Sequence, residues 1–420
     1  MKTLLIIGYV WPEPNSSAAG SRMLQLIAFF QQQSYQITFA SPAQRTDHMV
    51  DLNALNVNRV DISLNCSSFD DFISTLQPNV VMFDRFMMEE QFGWRVSEQC
   101  PEALRILDTE DLFCLRHARH DAYKKNAEMT EADLLKSDLL SSDLLSSDLA
   151  KREVAAIFRS DITLMISPKE IELLIDLFKV DISLLHYFPF VFNQQQLEQT
   201  NPSYEQRQGF ISIGNFRHPP NWDSVLWLKQ HIWPLIRKQL PKAEIYICGA
   251  YPPPKATDLH EEKSGFIVKG WVDDAFKAMQ SARVCLAPLR FGAGIKGKLA
   301  EAMLCSTPSV TTNIGIEGMQ TQLPWAGEVA NDAESIASAA VKLYQNADAW
   351  QYASELGQQN AQLLFEQHQH FTSCSTRLTH VLTNLAAHRQ SNFIGSMLNH
   401  HHHKSTKYMS QWIEAKNKLS

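Results

Sequence analysis

Short apolar runs rich in Val, Ile and Phe alternate with longer stretches of helical spacing through the first half of the chain. LLIIGYV, QITFAS, VVMFD, ALRILD and DITLMIS are the apolar runs, and GSRMLQLIAFFQQQ is one of the stretches between them. Such alternation predicts βαβ units around a parallel sheet. The rhythm restarts at Gly209 with GFISIGN, a helix SVLWLKQHIWPLIRKQL, then EIYICGA, FIVKGWV, VCLAPLR, KLAEAML and SVTTNIG. The expectation is an α/β protein of two domains, residues 1–187 and 209–390. Residues 188–208, with Pro189, Pro202 and a Gln-rich stretch, form the linker. A helix within 350–390 crosses back and completes the hinge.

Two segments break the rhythm. ADLLKSDLLSSDLLSSDLA, residues 132–150, repeats every five residues. Five residues turn a helix by about 500°, a net of about 140°, so successive Leu pairs rotate around the axis and form no stripe. The tract reads as a partly exposed helical insertion, dispensable for catalysis, ahead of a partner-binding element. Residues 391–420 read as a solvated tail. Its adjacent histidines, His400 to His403, do not converge on one ion as a structural metal site does, and no metal is expected.

Composition narrows the classes. A length of 420 residues suits two domains, and 45% hydrophobic with 20% charged residues is ordinary for a globular protein. A net charge of -7 gives no footprint for nucleic acid, although a local cationic patch can still face an anionic substrate or lipid. Seven scattered cysteines without a C-x-x-C pair argue against a disulfide framework or a zinc site. Leu4 to Val10 reads as a buried strand rather than a signal peptide, since no small-residue cleavage site follows. No run approaches the roughly 18 apolar residues of a membrane span. A cytoplasmic location is expected, with any membrane contact peripheral; oligomeric state is not legible.

The stretch from residue 284 to 319 carries the chemistry. A strand ends at Pro288, a turn with Gly292, Gly294 and Gly297 follows, and good helix formers begin at Lys298. Strand, glycine loop and helix start make a phosphate cradle, because glycines admit an anion to the backbone and first-turn amides point at it. Lys296 and Lys298 add positive charge. Glu301 follows Lys298 by three residues, so one face can offer a carboxylate to vicinal ribose hydroxyls and a lysine to phosphates. The competing readings are tight α/β packing for the glycines and a surface ion pair for Lys298 and Glu301.

In the first half, NSSAAGSRM joins strand to helix; Ser16 or Ser17 can cap that helix, and Gly20 permits close approach. Ser17, Gly20 and Arg22 are the candidates for a cleft-facing loop. ALRILDTEDLFCLRHAR places Asp108, Thr109, Glu110, Asp111, Arg116 and Arg119 at a strand's carboxyl end, where ligands gather in open α/β sheets. Asp108 and Asp111 are equally suited to capping a helix. Asp84 and Arg85, with Glu89 and Glu90 close by, have the same ambiguity.

At these blocks the chain resembles the retaining glycosyltransferases of family four, also called glycosyl transferases group 1. GFISIGNFRHPPNWDSVLWLKQHIWPLI, APLRFGAGIKGKLAEAML and PSVTTNIGIEGM follow the family's order, and SSAAGSRM after the first strand is similar too. The resemblance implies GT-B architecture: two Rossmann-like domains facing across a cleft, with a nucleotide-sugar donor on the C-terminal domain and a saccharide or glycoconjugate acceptor on the N-terminal one. It implies transfer to an acceptor hydroxyl with retention, and no cofactor. Glu301 matches the second glutamate of the family's pair separated by seven residues and is implied to hold the ribose; the first would fall at Ala293. Lys298 matches the diphosphate contact. The family's arginine is expected beside Gly214, where Asn215 stands and Arg217 is displaced by two. Glu317 and Gly318 are implied to lie near the donor through their backbone amides, over the Gly292, Gly294 and Lys296 loop. Glu110-Asp111 stands where many members have His-Asp, so Asp108, Glu110, Asp111 and Lys298 are the catalytic candidates. An epimerase or hydrolase on the same fold and a non-catalytic scaffold-like member are the alternatives.

Overall fold

The structure, a computed structural model, describes residues 2–125 and 137–419. Seven parallel strands form the N-terminal sheet: β1 (Lys2–Ile7), β2 (Tyr35–Ser41), β3 (Asn58–Asp61), β4 (Val80–Asp84), β5 (Leu104–Asp108), β6 (Ile162–Met165) and β7 (Leu185–Tyr187), in the order 3-2-1-4-5-6-7. Alternate residues serve opposite faces. Leu5, Ile7, Val81 and Phe83 enter one core, whereas Leu4, Ile6, Val80 and Met82 enter the other. Both faces are covered by helices, which is why these strands read as unbroken apolar runs.

Six parallel strands form the second sheet: β8 (Phe210–Ile213), β9 (Ile245–Cys248), β10 (Phe266–Gly270), β11 (Val284–Ala287), β12 (Ser309–Thr311) and β13 (Gly327–Val329), in the order 10-9-8-11-12-13. The direction of winding reverses between β1 and β4, and again between β8 and β11. Crevices open beyond the carboxyl ends of strands at such points, so the segments after all four strands are placed to bind.

The domains are joined twice. The linker leaves β7 and meets the returning chain where Phe192 exchanges backbone hydrogen bonds with Phe365 and Gln367, at 2.7 and 3.0 Å. After Glu366 the helix Gln367–Thr383 inserts Phe371, Cys374, Leu378 and Val381 into the N-terminal core beside Phe29 and Phe188. The chain beyond residue 366 thus packs with the first domain, as the helix crossing back within 350–390 that the expected second domain, residues 209–390, includes.

The expected solvated tail is also corrected. It is a helix, Phe393–Leu419, laid on the N-terminal domain. Arg389 leads into it by donating to both oxygens of Asp161 at 2.8 Å. Arg95 donates to Ser410 at 3.2 Å and Ser67 to Glu414 at 2.6 Å. These polar pairs, with Leu398 against the core, hold the helix down, so its apolar pattern did not announce the contact.

Of the pentapeptide tract, residues 132–136 lie outside the described residues. The rest forms the helix Ser137–Ser146 and the start of the helix Asp148–Arg159, broken where Ser147 caps the second. Leu144 is buried in the core while Leu145 is half exposed, as rotating Leu pairs require.

Candidate active site

On the C-terminal wall, β11 gives way to the glycine loop and the helix Gly297–Leu304. Lys298, in its first turn, donates to Asn221 Oδ1 at 2.9 Å. It lies so close to Gly214 that a Cβ there would stand 2.8 Å from Nζ and 2.6 Å from Asn221 Nδ2, so a side chain at this strand end would displace both groups. Burial lowers the Lys298 pKa to about 8, against the charges of Cys285 and Glu301 that favour the cation. Burial raises Glu301 to about 7, opposed by Lys298. Both side chains line the cleft. Among the described residues Glu301 meets no donor.

Lys296 turns back onto the carbonyl oxygens of Ala293 and Gly294, and burial lowers its pKa. Gly292 has its carbonyl bonded by Arg119 at 2.8 Å. Gly294, at φ +63°, donates its amide to Glu170 at 2.8 Å, so that N–H is already taken.

On the N-terminal wall the helix Ala18–Gln32 starts beneath Ser17, whose Oγ accepts the Gly20 amide at 3.1 Å. Gly20 is pressed against Glu13, whose carbonyl oxygen would lie 2.3 Å from an added Cβ. A Cβ on Gly297 would likewise lie 2.5 Å from that of Ala18. Two helix N-termini, one from each domain, therefore meet at the cleft, and Asn215 ties them by donating to the Ser16 carbonyl at 3.3 Å. Their positive ends add up at one place.

Beyond β5 the carboxylates divide. Asp108 is fully buried and accepts from Arg22 at 2.8 Å; Arg22 also donates to the Phe188 and Pro189 carbonyls. Asp111 accepts from Arg116 with both oxygens, at 3.0 and 2.9 Å. Glu110 sits between them at φ +62°, lining the cleft, with Oε1 buried and unpartnered. Burial, and then the neighbouring Asp108, raise its pKa well above the ordinary carboxylate value. Arg85 follows β4 at φ +69° and donates no hydrogen bond to the protein among the described residues; its Nε is 3.8 Å from Asp84.

The walls enclose a cavity of about 540 Å³ that brings together Ser17, Glu110, Asp111, Gly214, Arg217, Gly292, Lys296, Lys298 and Glu301. A side cavity of about 270 Å³ continues it past Ser17, Gly20, Arg85, Glu110 and Arg217. Arg217 stacks on Tyr251, its guanidinium carbon 3.6 Å from the ring centre.

Five expected residues line neither cavity. Arg22 and Asp108 form a buried strut under the wall. Gly294 faces the N-terminal domain, where an added Cβ would lie 2.8 Å from that of Asp111. Glu317 is clasped across the interface by Arg119 at 2.6 and 2.7 Å, and Gly318 is pressed on Ser167. Asn221 and His218 were missed. His218 accepts from Arg116 at 3.2 Å, its pKa lowered to about 3 by burial and Arg116. The signal for both was the Pro pair that opens the helix Pro219–Trp227 directly after β8, fixing a helix start at the crevice.

Residues 207–346 match the family Glycosyl transferases group 1. An uncharacterized 44.6 kDa protein in the cps region of Klebsiella pneumoniae is 24% identical over 158 residues, 36% of this chain and 38% of that relative, well under two thirds of its length. Sucrose-phosphate synthase from Thermosynechococcus elongatus superposes with a TM-score of 0.65 at 14% identity, over 91% of this chain and 100% of that one. Anabaena HepE, solved in complex with UDP-glucose, gives a TM-score of 0.65 at 10% identity over 90% and 100%. Residues 207–346 thus match a group 1 glycosyl transferase domain, and the chain as a whole shares the GT-B fold of these structures.

Proposed function

We propose that this protein moves a sugar from a nucleotide-diphosphate sugar to a hydroxyl of a saccharide or glycoconjugate acceptor, with retention and without a metal or other cofactor. Glu301 carries the reading: a carboxyl on the cavity wall with no donor among the described residues, one helical turn from a lysine. Vicinal ribose hydroxyls supply the two donors it lacks. The diphosphate then lies between the helix starts at Ala18 and Gly297, with Lys298 at its side. Likeness to a protein solved with UDP-glucose supports a donor of this class.

Lys298 and the helix starts meet the charge that grows on the departing diphosphate. The acceptor oxygen bonds to the anomeric carbon as the bond from that carbon to the phosphate oxygen breaks, and the acceptor proton passes to the departing phosphate. Glu110 orients the acceptor hydroxyl from the opposite wall.

Thermal unfolding in UDP-, GDP-, ADP- and dTDP-sugars tests the proposal. A cognate donor at a hundred times its Kd adds about 2.7 kcal/mol of stability. One nucleotide class raises Tm for the native chain, and Glu301→Ala abolishes the shift. Indifference to all four classes overturns the reading.

A further inference from the structure

Fourteen large hydrophobic residues are exposed among the described residues, and six of them lie on the single helix Phe393–Leu419: Phe393, Ile394, Met397, Tyr408, Met409 and Trp412. At about 100° per residue all six fall within an arc of about 160°. The side turned to the protein is mostly small and polar, with the half-buried Leu398 as its apolar contact to the N-terminal core. Gly395 and Ser410 are buried against the N-terminal domain, and Glu414 is held there by Ser67. This is the reverse of a surface helix of a globular protein, which turns its apolar stripe inward.

Charge supplies the second observation. Residues 393–420 contain four lysines and one glutamate, a net of +3, on a chain whose total is -7. Lys416 stands over the Trp412 ring, 5.5 Å from its centre, so cation and aromatic share the outward face. Lys407 is paired with Glu98 and Lys418 with Glu414, which leaves Lys416 beside the exposed rings. Exposed Trp, Tyr and Phe with a lysine on the same face are features of a helix lying in a lipid interface, where amphipathic rings sit at headgroup depth. No helix of the described residues is long and apolar enough to cross a membrane. A second copy docked face to face would oppose two helices of like charge, which disfavours self-association.

We propose that this outward face docks the protein on an anionic lipid surface. The proposal is independent of the donor and of the cleft chemistry. Co-sedimentation of the full chain with vesicles of phosphatidylcholine containing about one-third phosphatidylglycerol tests it. The chain pellets with these vesicles, not with pure phosphatidylcholine, and binding weakens as salt rises. Replacing Phe393, Tyr408 and Trp412 together by Ser cuts partitioning at least about tenfold, and Lys416→Glu cuts it less. Tyr352→Ser with Leu363→Ser, equally exposed on another helix, changes nothing. Failure to bind anionic vesicles overturns the proposal, as does binding that survives the triple substitution. A dimer in solution that the triple substitution dissolves, without vesicle binding, assigns the face to a second copy and overturns it too.

Discussion

On the C-terminal wall of the cleft, among the described residues, Glu301 meets no donor and Lys298 makes a single bond to Asn221; on the N-terminal wall, Asp108 is bound to Arg22 and Asp111 to Arg116. The same residue types, both at the carboxyl ends of parallel strands, have opposite fates. Where side chains are left open to the cavity, a ligand can complete them. Where they are already paired, they hold the wall in place. Glu110 differs from both: it accepts no hydrogen bond on its buried Oε1 among the described residues and lines the cavity, whereas Asp108, with one oxygen bound and one not, lies beneath the wall.

Arg22→Ala tests the contrast most severely. It strands Asp108 as an uncompensated buried charge and orphans the linker carbonyls that Arg22 bonds. Breaking a buried pair this way costs about 3–5 kcal/mol. Urea unfolding should show a midpoint lowered accordingly. A loss under about 1 kcal/mol would mean that the pair is not a strut and that Asp108 regains its candidacy at the acceptor.

Glu110→Gln removes the charge and keeps the shape. If Glu110 positions the acceptor hydroxyl, turnover falls by about a hundredfold while donor affinity stays as it was. Calorimetry with the donor and turnover at saturating donor separate the two. Normal transfer would reduce the whole N-terminal wall to architecture.

The sequence made the parallel sheets and the C-terminal wall legible because both are local. Apolar runs mark strands that are covered on both faces, and the glycine loop, Lys298 and Glu301 are consecutive in the chain. Gly214 and Asn221 show where locality ends. They come from the loop and helix after β8 and matter only because folding brings them against Lys298. The N-terminal wall was misread for the same reason, since nothing near Asp108 in sequence reveals that Arg22, from the first helix, occupies its carboxylate. Glu317 was captured likewise by Arg119, almost two hundred residues away. The terminal helix escaped notice because Leu398 is almost alone in its apolar contact with the core while Ser410 and Glu414 make the others, and apolar patterning cannot report such a contact.

The smallest effect expected is a pH profile, and it bears on the open wall directly. Glu301, raised to about 7, is a carboxylate only above that pH, and Lys298, lowered to about 8, is a cation only below that one. In the free protein the raised Glu301 value means that stability is lost as pH climbs from the unfolded carboxyl value, about 4.3, toward 7. The lowered Lys298 value means that stability is lost as pH falls from the unfolded lysine value, about 10.4, toward 8. Both charged groups are therefore least compensated by the empty protein between about 7 and 8, where ribose hydroxyls and a diphosphate satisfy them best. Donor kcat/KM should form a bell with its top in that interval, each limb falling about tenfold per pH unit. Glu301→Gln should flatten the acid limb and leave the alkaline limb in place. An acid limb that survives this substitution would assign it to another group, Glu110 first, and would bring the N-terminal wall back into donor chemistry.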